Sequence, residues 1–420
     1  MKKLYLMTLT VALSAVLCSC GSSAVGSEPN GGDPKNEEDN PYKALELTGR
    51  SVDFVRQGDA FSFGFLDRVN AATQEDYIIS PLSMQFLLGM LLDGARGETA
   101  AQICNVLGYG ADETASVNEY CLSMIGQLPA MDKKTQLSIA GAIFVDDGYP
   151  LLDSYKSDVA RYYKATVSNL DFANGAIALK KINGWCAEQT NGMIPKILDE
   201  VTPDMLAYLL NAVYFKSQWQ KKFDKRFSAD EKFTTEAGAM LQVKMMKQKS
   251  EYSYHENDLW QAVRLPYGNG AFSMTVLLPK AGHQVADITA ALKGGDAQSL
   301  GRGHICEVDL WLPKFESDFH INLNKLLSEM GMPLSFSREA DFKAMSEYAM
   351  CLSFVQQDAA IKVDEEGTEA AAVSSAGMLK ATSVGPQKEI IFHADHPFLY
   401  LITESSTGAV LFAGRYSGGK

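Results

Sequence analysis

Cysteine is scarce and irregular in this chain. Of seven in 420 residues, Cys18 and Cys20 sit at the N-terminus. The other five, Cys104, Cys121, Cys186, Cys306 and Cys351, include no Cys-x-x-Cys spacing, which argues against a redox pair or a zinc knuckle. Scattered among apolar neighbours, they read as buried free thiols. Enzyme signatures are missing too. There is no Gly-x-Ser-x-Gly elbow, no His-Glu-x-x-His and no Walker loop. Among six histidines, His393 and His396 lie close together, but no cluster of further ligands surrounds them. Positive charge is in deficit, with 38 Lys and Arg against 51 Asp and Glu, a formal net charge of -13. Such a chain is a poor binder of nucleic acid. No metal, cofactor or nucleic-acid partner is expected.

Long apolar runs are absent as well. The run from Leu4 to Val16, behind Lys2-Lys3, is too short for a permanent membrane helix and reads as the core of a targeting signal. Leu17-Cys-Ser-Cys20 resembles the lipobox of bacterial lipoproteins, which implies cleavage before Cys20 and a lipid on that cysteine. Cleavage removes two lysines and no acids, so the charge becomes -15. Residues 20–43, rich in Ser, Gly, Asn, Pro and acids, have no hydrophobic periodicity and read as a flexible tether reaching some 25 Å. The expected organisation is therefore a signal peptide over 1–19, a lipidated tether over 20–43 and one large domain over 44–420. The expected location is the bacterial envelope, at the outer membrane or cell surface.

The folded part alternates between periods. Phe61, Phe65 and Val69 predict an amphipathic helix over about 51–71. Tyr77-Ile-Ile predicts a short strand, and Ser80-Pro-Leu-Ser83 opens an apolar helix with Ser80 as its N-cap. Asn183-Gly-Trp185 through Thr190-Asn-Gly192 predicts a helix closed by glycine. Leu209 to Lys216, followed by Trp219 and Phe223, predicts a buried strand, and Tyr267-Gly-Asn-Gly270 a hairpin turn. Helices and strands mix without βαβ regularity, so the class is α+β.

One stretch near the C-terminus organises the rest. From Asp364 to Pro386 it has acids and a glycine, then small residues, and no aromatic. Thr368, Ala370, Ala372, Ser374 and Ala376 alternate as small, uncharged residues, while Glu369 falls on the other phase. As a strand, the stretch would offer nothing bulky or charged to a core. A segment soluble in the open yet fit for a sheet is suited to moving between the two.

Glu366-Gly367-Thr368-Glu369-Ala370-Ala371-Ala372 resembles the hinge of the serpin reactive-centre loop. The resemblance extends from about residue 50 to 416 and is nearest to bacterial lipoprotein serpins of the miropin type. It implies three β-sheets, about nine helices and an exposed reactive-centre loop. It also implies suicide-substrate inhibition of serine proteases, with cysteine proteases as a second class, through a covalent acyl complex. The reactive bond falls at Ala381–Thr382, with Met378, Leu379 and Lys380 as neighbouring subsites and alternative cuts. Thr368 would be the first inward-facing residue to enter the sheet. Sheet opening is assigned to Ser80, Ser83, Asn211, Gln357 and Trp219. Two residues depart from the pattern: Ser217 stands where glycine is usual, and Gln357 where many serpins have histidine, although glutamine can still bond to an amide. A monomer is expected. The alternative is a non-inhibitory serpin serving as a binding or chaperone module.

Overall fold

A computed structural model describes residues 40–368 and 389–419. The chain opens with α1 (Ser51–Ala72), β1 (Tyr77–Ile79), α2 (Pro81–Gly94), α3 (Gly97–Leu107) and α4 (Thr114–Gln127). Then come β2 (Gln136–Asp146), α5 (Asp153–Tyr163), β3 (Thr166–Leu170), α6 (Gly175–Gln189) and β4 (Ala207–Gln218). The middle holds β5 (Ala229–Thr234), β6 (Met240–Glu256), β7 (Trp260–Pro266), β8 (Phe272–Pro279), α7 (Val285–Lys293) and β9 (His304–Pro313). β10 (Phe315–Asn322), α8 (Asn324–Met330), β11 (Phe354–Val363) and β12 (Gly367–Thr368) precede β13 (Ile390–His393), β14 (Phe398–Glu404) and β15 (Val410–Tyr416).

The central sheet has the order β10-β11-β12-β4-β2-β3. The second has nine strands, and the third sheet expected from sequence is present in part as its continuation. β6 makes the join, because its 17 residues pair in turn with β5 over Met240–Met245, with β9 over Met245–Tyr254 and with β7 over Ser253–Glu256. The compact unit runs from Asn40, and Asn40 and Pro41 already bond to its body.

β4 explains the layering. Leu209, Val213 and Phe215 enter the main core, shared with α2 and the nine-stranded sheet. Tyr208, Leu210 and Ala212, on the opposite phase, join a smaller core with Ile182, Trp185 and Cys186 of α6. Both faces being covered, the strand reads as a continuous apolar run. α6 ends at Gln189, and both Asn191 and Gly192 take positive φ there, so the turn uses one residue more than a lone glycine cap. All five cysteines of the folded part are free thiols, and four are buried.

Candidate functional site

The site is a seam in the central sheet. β11 runs parallel to β4, pairing from Phe354↔Tyr208 through Gln357↔Asn211 to Ala359↔Val213. Above these pairs the strands separate, and β12 lies between them, antiparallel to both: Thr368 faces Val363 on one side and Ser217 on the other.

The turn into β12 is written in Asp364-Glu-Glu-Gly367. The Asp364 carboxylate accepts the backbone N–H groups of Glu366 at 2.8 Å and Gly367 at 3.2 Å, an aspartate turn that reverses the chain. Gly367 has φ +156°, and a Cβ there would stand 2.1 Å from the Ser217 carbonyl oxygen, so the close approach requires glycine. Backbone bonds dock the turn: Trp219 N–H to Glu366 O and Phe223 N–H to Glu365 O, each 2.9 Å, and Trp219 Nε1 to Asp364 O at 2.8 Å.

The hinge acids are not solvated. Glu365, 4 % exposed, accepts from Ser228 Oγ at 2.8 Å and pairs with Lys314 at 3.2 Å. Burial works against its charge, but its own backbone amide, Ser228 and Lys314 outweigh that and hold the carboxyl below the usual range. Glu366 pairs with Lys222 at 2.9 Å and Lys225 at 3.4 Å. Its carboxyl is lowered too, chiefly by Lys222, against partial burial.

Thr368 is already inside the sheet in this form, fully buried, with its Oγ1 2.7 Å from the Tyr267 hydroxyl. Tyr267 stacks on Trp219 with ring centroids 4.4 Å apart. Thr368 is thus seated before any cut, rather than waiting outside to be first in. Gln356, Asp358 and His320 occupy the other face, where a cavity of about 480 Å³ opens between the seam and the α6–β4 connection.

Below the hinge lies a neutral latch. Gln357 accepts the Ser80 N–H at 2.8 Å and donates to the Ser80 carbonyl at 3.0 Å and to Asn211 Oδ1 at 2.8 Å. Asn211 Nδ2 donates onward to Ala140 O at 3.2 Å. Ser80 holds the N-cap position of α2, but its hydroxyl does not cap; it donates to Leu411 O at 2.6 Å, satisfying a buried carbonyl of β15. Ser83 is fully buried beneath the sheet, and its hydroxyl has no hydrogen-bond partner among the described residues.

Of the sequence-assigned residues, Ser80, Asn211 and Gln357 thus meet in one network, and Trp219 belongs to the hinge instead. Glu369 to Ala372, Met378 to Lys380, the Ala381–Thr382 bond and Cys20 lie outside the described residues. Sequence reasoning missed Tyr267, Lys222, Lys225, Lys314 and Ser228. The Asp-x-x-Gly turn was there to be read; the lysines give no local signal. His393 bonds to Asp309 and His396 to Asp395, and no group of three metal-ligating side chains occurs among the described residues.

Comparison with known proteins follows the same outline. The family model described as "Serpin (serine protease inhibitor)" matches residues 56–418. An uncharacterized serpin-like protein of Thermococcus kodakarensis is 30% identical, over 97% of this chain and 98% of its own. Human Serpin B3 is 30% identical over 85% of this chain and 97% of its own. Human thyroxine-binding globulin, solved in complex with thyroxine, superposes with a TM-score of 0.81 at 26% identity, covering 89% of this chain and all of that one. The thermophilic serpin tengpin in its native state gives 0.80 at 28%, covering 90% and 96%.

Proposed function

The chain belongs to the serpin family, and we propose that it is a suicide-substrate inhibitor of serine proteases, with papain-like cysteine proteases as a second class. One observation carries this reading. The hinge sits at the mouth of a seam whose two strands are already in a common register for an added strand. Six residues beyond Thr368, the same pairing sets Ser374 opposite Asn211 on β4 and Gln357 on β11, which are each other's partners today. Ala370, Ala372 and Ala376 are small residues of the same phase as Thr368, so they would bring nothing bulky or charged to that face. The added strand would make two antiparallel ladders where one parallel ladder stands, supplying backbone bonds and burial.

Chemically, the protease's serine Oγ attacks the Ala381 carbonyl carbon. The bond to Thr382 breaks, and the new amine leaves with the proton passed by the protease's base. An ester remains between Ala381 and the enzyme. Strand addition then carries the tethered protease some 45 Å along the sheet, the length of about fourteen extended residues, and a distorted active site cannot release the ester. Alanine at the cut suits elastase- and subtilisin-like pockets, while Lys380 and Leu379 offer cuts to other classes.

Full chain mixed with elastase and run on a denaturing gel should give a covalent adduct. Cleaved chain with fully active elastase, or no change, would sink the proposal in favour of a non-inhibitory binding role, as thyroxine-binding globulin's name describes for that relative. The same reading places the protein at the bacterial envelope through a lipid on Cys20. Cys20→Ser should move it from membrane to soluble fraction, and a variant that stays membrane-bound refutes the anchor.

A further inference from the structure

On the α6 face of the seam lies the cavity of about 480 Å³, large enough for a small organic molecule. Its floor includes Tyr208 of β4 and Phe354 of β11, which pair directly across the seam with ring centroids 5.4 Å apart. Its roof is the α6–β4 connection, which contributes buried Ile197 and Leu198 and half-buried Met205. Two bonds tie floor to roof. Gln356 Nε2 donates to the Ile197 carbonyl at 2.6 Å, and the Tyr208 hydroxyl accepts the Thr202 N–H at 3.2 Å.

Charge at the cavity is mostly spent in pairs. Lys196 lies beside Asp199, and His320 beside the fully buried Asp358, which also accepts from Gln356 at 2.7 Å. The bond to Asp358 raises the pKa of His320 and so favours the charged imidazole. Glu200 is left at the mouth, exposed and without an ion pair among the described residues. Asp318, 4.0 Å from the other imidazole nitrogen, has the same sign. A spare carboxylate at the mouth and aromatic rings on the floor favour an organic cation over a neutral or anionic molecule of the same shape.

We propose that this cavity binds a primary amine carried on an aromatic body, and that its occupancy restrains strand insertion. The second half rests on the insertion mechanism proposed above. Tyr208 lies nine positions from Ser217, and Phe354 nine from Val363, so an added strand in the β12 register passes between the two rings. The rings, now one strand spacing of about 4.8 Å apart in the sheet, would then stand two spacings apart. A ligand held by both has to leave first. At ten times its Kd it should slow insertion by up to about elevenfold, because only the unoccupied fraction can insert.

Tryptamine, 3-methylindole and indole-3-acetate share one ring system and differ in charge, so they serve as probes. Calorimetric titration of the intact full chain should show one site for tryptamine. 3-Methylindole should bind about fivefold more weakly, the scale of one exposed charge pair, and indole-3-acetate more weakly still. Glu200→Gln, a change at an exposed side chain, should bring tryptamine down to the level of 3-methylindole and leave the latter unchanged. Met205→Trp, which fills the space from the roof, should abolish both; if it misfolds, Glu200→Gln decides. Chain cut in the loop should bind tryptamine about tenfold more weakly than intact chain, since a ligand shifts an equilibrium only by its differential affinity. With tryptamine at ten times its Kd, the stoichiometry of inhibition of elastase should rise, less so for Glu200→Gln, while elastase alone cuts a small peptide at its usual rate. No binding of tryptamine to intact chain, or equal binding of the three probes, overturns the site. Equal binding to intact and cut chain overturns its link to insertion. If no adduct forms even without amine, the inhibitory reading fails, and the titration still decides the site.

Discussion

The two ends of the seam are held by different physics. At the upper end the hinge turn is fixed by two carboxylates, three lysines and an aspartate turn, on segments from several parts of the chain. Lower down, Gln357, Asn211 and Ser80 close the sheet with neutral hydrogen bonds, all three residues 0–1 % exposed. The carboxylates are buried but their lysines are 25–59 % exposed, so salt reaches one partner of each pair and pH can discharge the other. A buried neutral network is all or nothing, since removing one member leaves the others unsatisfied. The upper end is therefore where the molecule can be tuned, and the lower end is where it is locked.

Thr368→Arg should break the contrast most severely. Arginine in place of a fully buried threonine has no partner for its charge, at a cost of several kcal/mol. The hinge should leave the sheet, and insertion should slow at least about a hundredfold, the effect of about 2.8 kcal/mol on a barrier. Such a variant is cut but no longer traps elastase, and the stoichiometry of inhibition measures it. Glu369→Arg, on the opposite phase, should do much less. Undiminished trapping by Thr368→Arg would show that the strand phase is wrong.

Gln357→Ala comes next. It strands the Ser80 N–H and the Asn211 side chain, each at roughly 1–3 kcal/mol, so the intact form should melt several degrees lower and convert sooner on storage. Gln357→His sharpens the comparison further. It would make the lower end titratable near pH 6.5, and its conversion rate should bend there while the natural protein's does not.

Acid should act directly on the hinge acids, whereas Gln357, Asn211 and Ser80 carry no ionisable side chain. The Glu365 and Glu366 carboxyls lie below their ordinary 4.5 in the folded protein. Depressed carboxylates lend stability that is complete above that ordinary value and is lost as pH falls through the lower folded one. Quenching of Trp219 by its stacked neighbour should therefore change below about pH 4.5 and stay flat from 5 to 8. Tyr267→Phe is the mildest test. It removes one hydroxyl bond to Thr368, about 1 kcal/mol, and should loosen the hinge roughly fivefold in limited proteolysis near residue 368.

The sequence made the upper end legible as a motif and hid its partners. Gly367 and the small inward residues follow from alternation, which tells each side chain which way it faces. Alternation says nothing about what stands opposite. Lys222 and Lys314 meet Glu366 and Glu365 across more than 140 and 50 positions of chain, so the acids look like a solvated run. The lower end shows the reverse. Asn211 is a lone polar residue in the apolar run of β4 and Gln357 is one of three successive polar residues in β11, and their meeting was expected only through resemblance to a family. Ser80 was legible as an N-cap by position, whereas the destination of its hydroxyl depends on β15, 331 residues away. Asn40 fell inside a composition that reads as tether, because docking by backbone and amide bonds leaves no apolar stripe.

The three-residue reversal between β11 and β12 also bears on how the chain reaches this form. A hairpin between β11 and the segment just after it would close a short loop, whereas the pairing of Gln357 with Asn211 spans 146 positions. Short loops close sooner, so in a free chain the nearer competitor has the head start. Synthesis from the N-terminus reverses the race: β4 and β2 can be laddered long before β11 leaves the ribosome, with an edge waiting to receive it. The long-range partner then wins by being there first, and order of arrival decides which pairing β11 takes up.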